Sequence, residues 1–92
     1  MRIDKYLKVS RIIKRRTVAN EACAGGRVTI NDKIAKPGSD VAPGDVISIR
    51  FREHLGKYEV LSIAETVRKD QASEMYRVIG EDSAMLSERN QP

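Results

Sequence analysis

Ile3, Tyr6 and Leu7 recur at helical spacing while Arg2, Lys5, Lys8 and Arg11 take the other side, which predicts an amphipathic first helix from Arg2 to about Ser10. Asp4 and Lys8 stand four residues apart and can pair, a contribution of roughly a few tenths of a kcal/mol. Ile12 and Ile13 then read as a short hydrophobic corner. Thr17 is expected to cap a second helix, its hydroxyl accepting from N–H groups of the opening turn. Behind it Val18, Ala19, Ala22 and Cys23 form a narrow stripe, mostly of small side chains, that lets the first helix approach closely. Gly25 and Gly26 end this helix, because glycine takes the left-handed position past a helix without a Cβ clash. The two helices are expected to pack as a hairpin.

From Arg27 the period changes to two. Val28 and Ile30 face one way and Arg27, Thr29 and Asn31 the other, the pattern of a strand with one buried face. Asn31-Asp32 is a tight turn into a segment from Lys33 to Lys36, and Pro37-Gly38-Ser39 and Ala42-Pro43-Gly44-Asp45 are further turns. Ile47, Ile49 and Phe51 alternate with Ser48, Arg50 and Arg52, giving a second half-buried strand with Phe51 on the core side. A loop is expected from Glu53 to Lys57 and a last strand from Tyr58 to Ala64. Ala72, Met75, Tyr76 and Ile79 recur at i, i+3, i+4 and i+7, which predicts a short C-terminal helix. Gly80 to Pro92 carry few large apolar side chains and are expected to be disordered. The fold class that follows is α+β: a two-helix hairpin on a small twisted, mainly antiparallel sheet, plus a C-terminal helix.

The chain has 92 residues, enough for a single core. Its net charge of +4 is unevenly spread: Met1 to Arg52 hold 12 Lys/Arg against 5 Asp/Glu, and Glu53 to Pro92 hold 5 against 8. The basic half is thus at +7 and the remainder at −3, a polarity that suits a polyanion, since each neutralised phosphate releases counterions. Cys23 is the only cysteine, which excludes an internal disulfide and a thiolate-cluster zinc site; its place in the apolar stripe makes it a packing residue. There is no apolar run near the ~18 residues of a membrane helix and no signal-peptide core after Met1. No membrane association is expected, and the cytoplasm is the expected compartment.

The strongest chemical feature is Lys14-Arg15-Arg16 at the entry to the second helix, with Arg2, Lys5, Lys8 and Arg11 on the first. Cations at a helix N-terminus oppose the helix dipole unless an anion lies across them. Phosphate is the natural anion: arginine donates two parallel hydrogen bonds to it and lysine acts as a point charge. The competing reading is a solubility patch. A flat basic face matches A-form RNA, which is read through shape, phosphates and 2′-hydroxyls. Stacking on exposed bases is disfavoured, because there is no Trp and Tyr6, Tyr58 and Tyr76 fall at core positions. His54, the single histidine, sits in the expected charged loop as a surface residue. No nucleophile elbow, Gly-rich phosphate loop or metal-ligand spacing appears, so no catalysis, cofactor or metal is expected.

Three stretches carry a resemblance: Met1 to Thr17 (MRIDKYLKVSRIIKRRT), Gly26 to Asn31 (GRVTIN), and Lys36 to Asp45 ending in Pro-Gly-Asp. Together they resemble the S4 RNA-binding domain, over Met1 to about Ala64. With the Ala72 to Tyr76 segment (ASEMY), the chain is similar to stand-alone S4 proteins of the bacterial ribosome-associated quality-control (RqcP) family, relatives of the S4 heat-shock protein of the large subunit. The family's Asn-Gly turn is Asn31-Asp32 here, a cost of about 1 kcal/mol in local geometry. The resemblance implies an RNA-binding domain over residues 1–64, with a C-terminal helix and disordered tail over 65–92. It implies a non-catalytic monomer that binds large ribosomal subunits obstructed by peptidyl-tRNA, touching both rRNA and tRNA. It further implies work beside an RqcH-type factor during template-free C-terminal alanine tailing. A heat-shock type role in recycling obstructed subunits is the alternative. By motif match Arg2 and Arg16 lead the RNA contacts and Lys5, Lys8, Arg11, Lys14 and Arg15 support them. Truncating Arg2 or Arg16 is expected to weaken binding with little change in thermal stability.

Overall fold

The protein is described from a computed structural model covering residues 1–51 and 54–81, with the side chains of Phe51, His54 and Glu81 outside the description. Helix α1 spans Ile3–Val9 and helix α2 spans Arg16–Ala24. Ile3, Tyr6 and Leu7 of α1 are fully buried against Ala19, Ala22 and Cys23 of α2, as the small-residue stripe predicts. Val18 is the exception, 37 % exposed. Past α1 the Arg11 N–H donates to the Lys8 carbonyl and the Ile13 N–H to that of Leu7, both at 3.0 Å. Arg11 occupies the left-handed region there, φ 65°, and the turn folds Ile13 into the core.

Thr17 does not cap α2. The cap position lies two residues earlier, at an extended Arg15 (φ −118°, ψ 132°) with no side-chain cap; Thr17 therefore lies inside the first turn. At the other end Gly26 turns left-handed at φ 76°. Its N–H donates to Cys23 and that of Arg27 to Ala22, each at 3.0 Å. This paired closure satisfies two terminal carbonyls and points the chain into the sheet.

The sheet is wholly antiparallel in the order β2-β1-β3-β4-β5, with β1 Val28–Ile30, β2 Lys33–Ile34, β3 Val46–Phe51, β4 His54–Val60 and β5 Tyr76–Glu81. Val28 pairs with Ile49 and Ile30 with Ile47, so one face collects the apolar side chains that meet the helices. The β1–β2 hairpin turns on Asn31 (φ 52°) and Asp32 (φ 71°), the doubly left-handed turn a two-residue hairpin needs. Asn31 holds it in place: its Nδ2 donates to Asp45 Oδ1 at 3.1 Å and its Oδ1 accepts the Val46 N–H at 3.0 Å.

The α+β class and the hairpin-on-sheet arrangement stand as the sequence predicts. Three boundaries move. Residues 54–57, expected in a loop, open β4, and the strand expected to run to Ala64 stops at Val60, leaving Leu61 and Ile63 exposed. The ladder with β3 sets these limits, since main-chain pairing needs no apolar alternation. The predicted C-terminal helix is a 3-10 helix, Lys69–Met75, and Tyr76 and Ile79, expected in it, belong to β5. Ala72 and Met75, three apart, suit a 3-10 turn and are buried, whereas Tyr76 and Val78 pair with Val60 and Tyr58 across β4. Gly80 and Glu81, expected to be disordered, complete β5; the rest of the expected tail, and the expected positions of the Phe51 and His54 side chains, lie outside the described residues.

The tertiary core closes on Tyr6. Its ring is fully buried and its hydroxyl donates to the Met75 carbonyl at 2.7 Å, linking α1 to the segment before β5. Burial, with the neighbouring Tyr76, raises its pKa above the usual phenol range. Tyr58 and Tyr76 are half-buried and meet edge to face, ring centres 5.6 Å apart. None of the three tyrosines is free to serve as a stacking platform. Cys23 is buried and its thiol is pushed up to about 11, by burial first and by the charge of Asp4 second, so it remains a packing residue.

Candidate nucleic-acid interface

Arg2 precedes α1 in extended conformation and is clamped from both sides. The Ile3 N–H donates to the Ser39 carbonyl at 2.7 Å and the Val41 N–H to that of Met1 at 2.9 Å, a bridge that pairs Arg2 with Asp40. Its side chain runs to Asp4, where Nε meets one carboxylate oxygen at 3.2 Å and an η nitrogen meets the other at 3.1 Å. Arg16, the first residue of α2, donates to the same carboxylate at 3.4 Å, and Asn20, one turn along, donates to it at 3.3 Å.

Asp4 is thus the centre of the hairpin, with its side chain 2 % exposed while those of Arg2 and Arg16 are 52 % and 47 % exposed. Burial pushes its pKa up, but hydrogen bonds from Asn20 and Arg2 and the charges of Arg16 and Arg2 outweigh it, so the carboxyl titrates below its ordinary value. The expected Asp4–Lys8 pair is absent among the described contacts. Lys8 is exposed and Asp4 faces the second helix instead. A carboxylate in the first turn of α1 also complements the helix dipole. Sequence reasoning missed this role of Asp4; the available signal was an acid flanked by cations yet spaced with Ile3 and Leu7 on the buried side.

Two clefts border the cluster. One, about 450 Å³, is lined by Lys5, Lys8, Arg11, Lys14 and Arg16, facing Glu65, Thr66 and Val67. The other, also about 450 Å³, lies over Arg2, Asp4, Arg16, Thr17 and Asn20. Arg16 belongs to both. Six of the seven predicted cations are therefore brought together around the helix hairpin; Arg15 is exposed and lines neither cleft. Lys5 forms an ion pair with Glu65, whose own pKa that bond lowers. Among the described residues Lys8, Arg11, Lys14 and Arg15 have no such partner and offer their charges outward. The opening turn of α2 has no acidic residue and no side-chain cap, so no carboxylate of its own opposes the positive end of the helix or the adjacent arginines. The clefts present positive charge and hydrogen-bond donors with no exposed aromatic ring, which is chemistry for phosphate and ribose rather than for bases.

Residues 1–47 match the S4 domain family model. The chain is 50 % identical to the RQC P-site tRNA stabilizing factor of Halalkalibacterium halodurans, over 96 % of its own length and all of that protein. It belongs to the S4-domain family that contains these factors. The protein of the same name from Bacillus subtilis is 46 % identical over 89 % of this chain and 95 % of the relative. Among solved structures, the trimeric heat shock protein 15 of Vibrio cholerae superposes with a TM-score of 0.82 at 30 % identity, covering 99 % of this chain and 92 % of that one. Membership makes this a ribosome-associated RNA-binding protein of the quality-control class and assigns the basic hairpin to an S4 domain. Among the described residues no helix is long and apolar enough to cross a membrane.

Proposed function

We propose that this chain is a non-catalytic cytoplasmic factor that acts as a monomer on large ribosomal subunits obstructed by peptidyl-tRNA. It lays the helix hairpin on RNA through Arg2, Lys5, Lys8, Arg11, Lys14, Arg15 and Arg16, touches both rRNA and the tRNA, and supports template-free C-terminal alanine tailing beside an RqcH-type factor. The observation that carries this reading is the pair of adjoining cationic clefts organised on one buried carboxylate, Asp4. A solubility patch requires no such fixed arrangement, since ordering long side chains costs conformational entropy. The name shared by the relatives adds the P-site tRNA as the partner of choice.

A second reading, recycling of obstructed subunits, draws on the likeness to heat shock protein 15. The two separate on the RNA and protein recovered with the tagged chain: large subunits carrying tRNA and a tailing factor support the first, and subunits without tRNA support the second. The site is tested with Lys8→Glu/Lys14→Glu, two exposed and unpaired positions. Wild-type protein should cosediment with large subunits and lose them with salt, at a log-log slope of about −3 to −5 if ~4 to 6 phosphates are neutralised. The double variant should release them at physiological salt with its fold intact. Unchanged cosedimentation removes the hairpin from the interface.

A further inference from the structure

The helices cover one face of the sheet. The opposite face is set by the register Thr29–Ser48–Lys57 across β1, β3 and β4, with Ile34 of β2 beside Thr29. Arg50, two residues along β3 from Ser48, points the same way, and the Arg50 N–H donates to the Arg27 carbonyl at 2.9 Å. Here the sheet forms a trough of about 360 Å³ lined by Arg27, Thr29, Ser48, Arg50 and Lys57 together with Gly26 and half-buried Leu55, and with Asp32 as the one carboxylate among its lining residues. Arg27, Arg50 and Lys57 are exposed, and among the described residues no ion pair holds any of them. Thr29 is half-buried and Ser48 8 % exposed at the floor of the trough, and no hydrogen bond within the described chain occupies either hydroxyl.

We propose that this outer sheet face is a second RNA-backbone site, so that one copy of the chain holds two RNA segments on opposite sides of its sheet. The inference rests on the reading of the hairpin as an RNA face and extends it to a residue set that shares no member with either hairpin cleft. Three unpaired cations around a floor of two free hydroxyls match a phosphodiester strand: the cations neutralise phosphates and the hydroxyls exchange hydrogen bonds with phosphate or 2′-OH oxygens. A protein partner is the poorer fit, because protein interfaces centre on apolar and aromatic side chains, whereas this trough offers one apolar side chain, half-buried Leu55, beside the polar Thr29 and Ser48.

Native mass spectrometry of the full chain with a short structured RNA stem-loop counts the RNAs bound per protein, and titration at several salt concentrations gives the charge involved. Wild-type protein should bind two stem-loops per chain. Arg27→Gln/Arg50→Gln/Lys57→Gln should bind one, with the total salt slope shallower by about 2, three cations at ~0.7 per phosphate. Arg27→Lys/Arg50→Lys, which keeps the charge, should retain two, and circular dichroism of each variant reports that the sheet is intact. The hairpin variant Lys8→Glu/Lys14→Glu should keep the sheet-side RNA and lose the other. A wild-type limit of one RNA lost by the hairpin variant overturns the second site alone, and absence of any RNA binding overturns the hairpin reading with it. Two RNAs still bound by the glutamine variant, or a polyglutamate peptide displacing only the second RNA at equal charge concentration, would also sink the proposal.

Discussion

Replacing Asp4 by asparagine keeps the side-chain size and removes the charge on which Arg2, Arg16 and Asn20 converge. Breaking a fully buried ion pair from one side costs about 3–5 kcal/mol. Here both guanidinium groups are about half exposed, so water re-solvates them and each loss shrinks to roughly 0.5–1 kcal/mol. The Asn20 hydrogen bond adds about 0.5–1 kcal/mol. The expected total is about 2 kcal/mol, read in a domain of this size as a melting temperature lower by about 8–16 °C. RNA affinity should fall too, because two arginines freed of their anchor must be ordered on binding at about 0.5–1.5 kcal/mol each. The extra positive charge of the variant works the other way, but at physiological salt its reach is about 8 Å and the ordering cost prevails. Thermal circular dichroism and RNA anisotropy measure the two effects, and a cycle with Arg16→Ala should give a coupling above about 0.5 kcal/mol. A melting temperature within about 2 °C of wild type, or zero coupling, would refute the role of Asp4 as the organising group. The same geometry revises the expectation that Arg2→Ala and Arg16→Ala spare stability: each removes a donor from a buried carboxylate.

Three further outcomes follow from single positions. Because folding depresses the Asp4 pKa, its contribution is present above the unfolded value of 3.8 and lost as pH falls through the lower folded value; Asp4→Asn should flatten the acid limb of a stability-against-pH curve below about pH 4 and leave the rest parallel, and an unchanged limb contradicts this. Tyr6→Phe should cost about 1 kcal/mol in urea unfolding, because the Met75 carbonyl keeps the N–H groups of Leu61 (2.8 Å) and Ser62 (3.2 Å); a loss above about 3 kcal/mol would mean that the hydroxyl does more than this bond. Arg11→Gly should raise stability by about 0.5 kcal/mol, the relief of a left-handed arginine less the entropy of a freer unfolded chain, while RNA binding weakens and its salt slope shrinks by about 0.7–0.9. Stability and binding moving together at Arg11 would argue against strain held there for function.

Hydrophobic period and turn chemistry were sufficient for the helix hairpin, the first hairpin of the sheet and the place of the basic face. Each depends on residues within a turn or two of one another: the Ile3, Tyr6 and Leu7 spacing, the glycines after Ala24, the Asn31-Asp32 turn. The C-terminal segment was legible only in part, because Ala72, Met75, Tyr76 and Ile79 fit a helix, while the segment from Tyr76 onward pairs its main chain with β4, about twenty residues away in sequence. The turn at Arg11 carries no glycine to announce it. Charge along the chain marked the cations, but which of them act together depended on a buried carboxylate reached from both helices. Likewise the trough of Arg27, Arg50 and Lys57 exists only through strand register, which brings the residue before β1 beside positions on β3 and β4. Local patterns thus determined what each element is, and long-range pairing decided which side chains became neighbours, since contact energies across the fold are not written in any one segment's period.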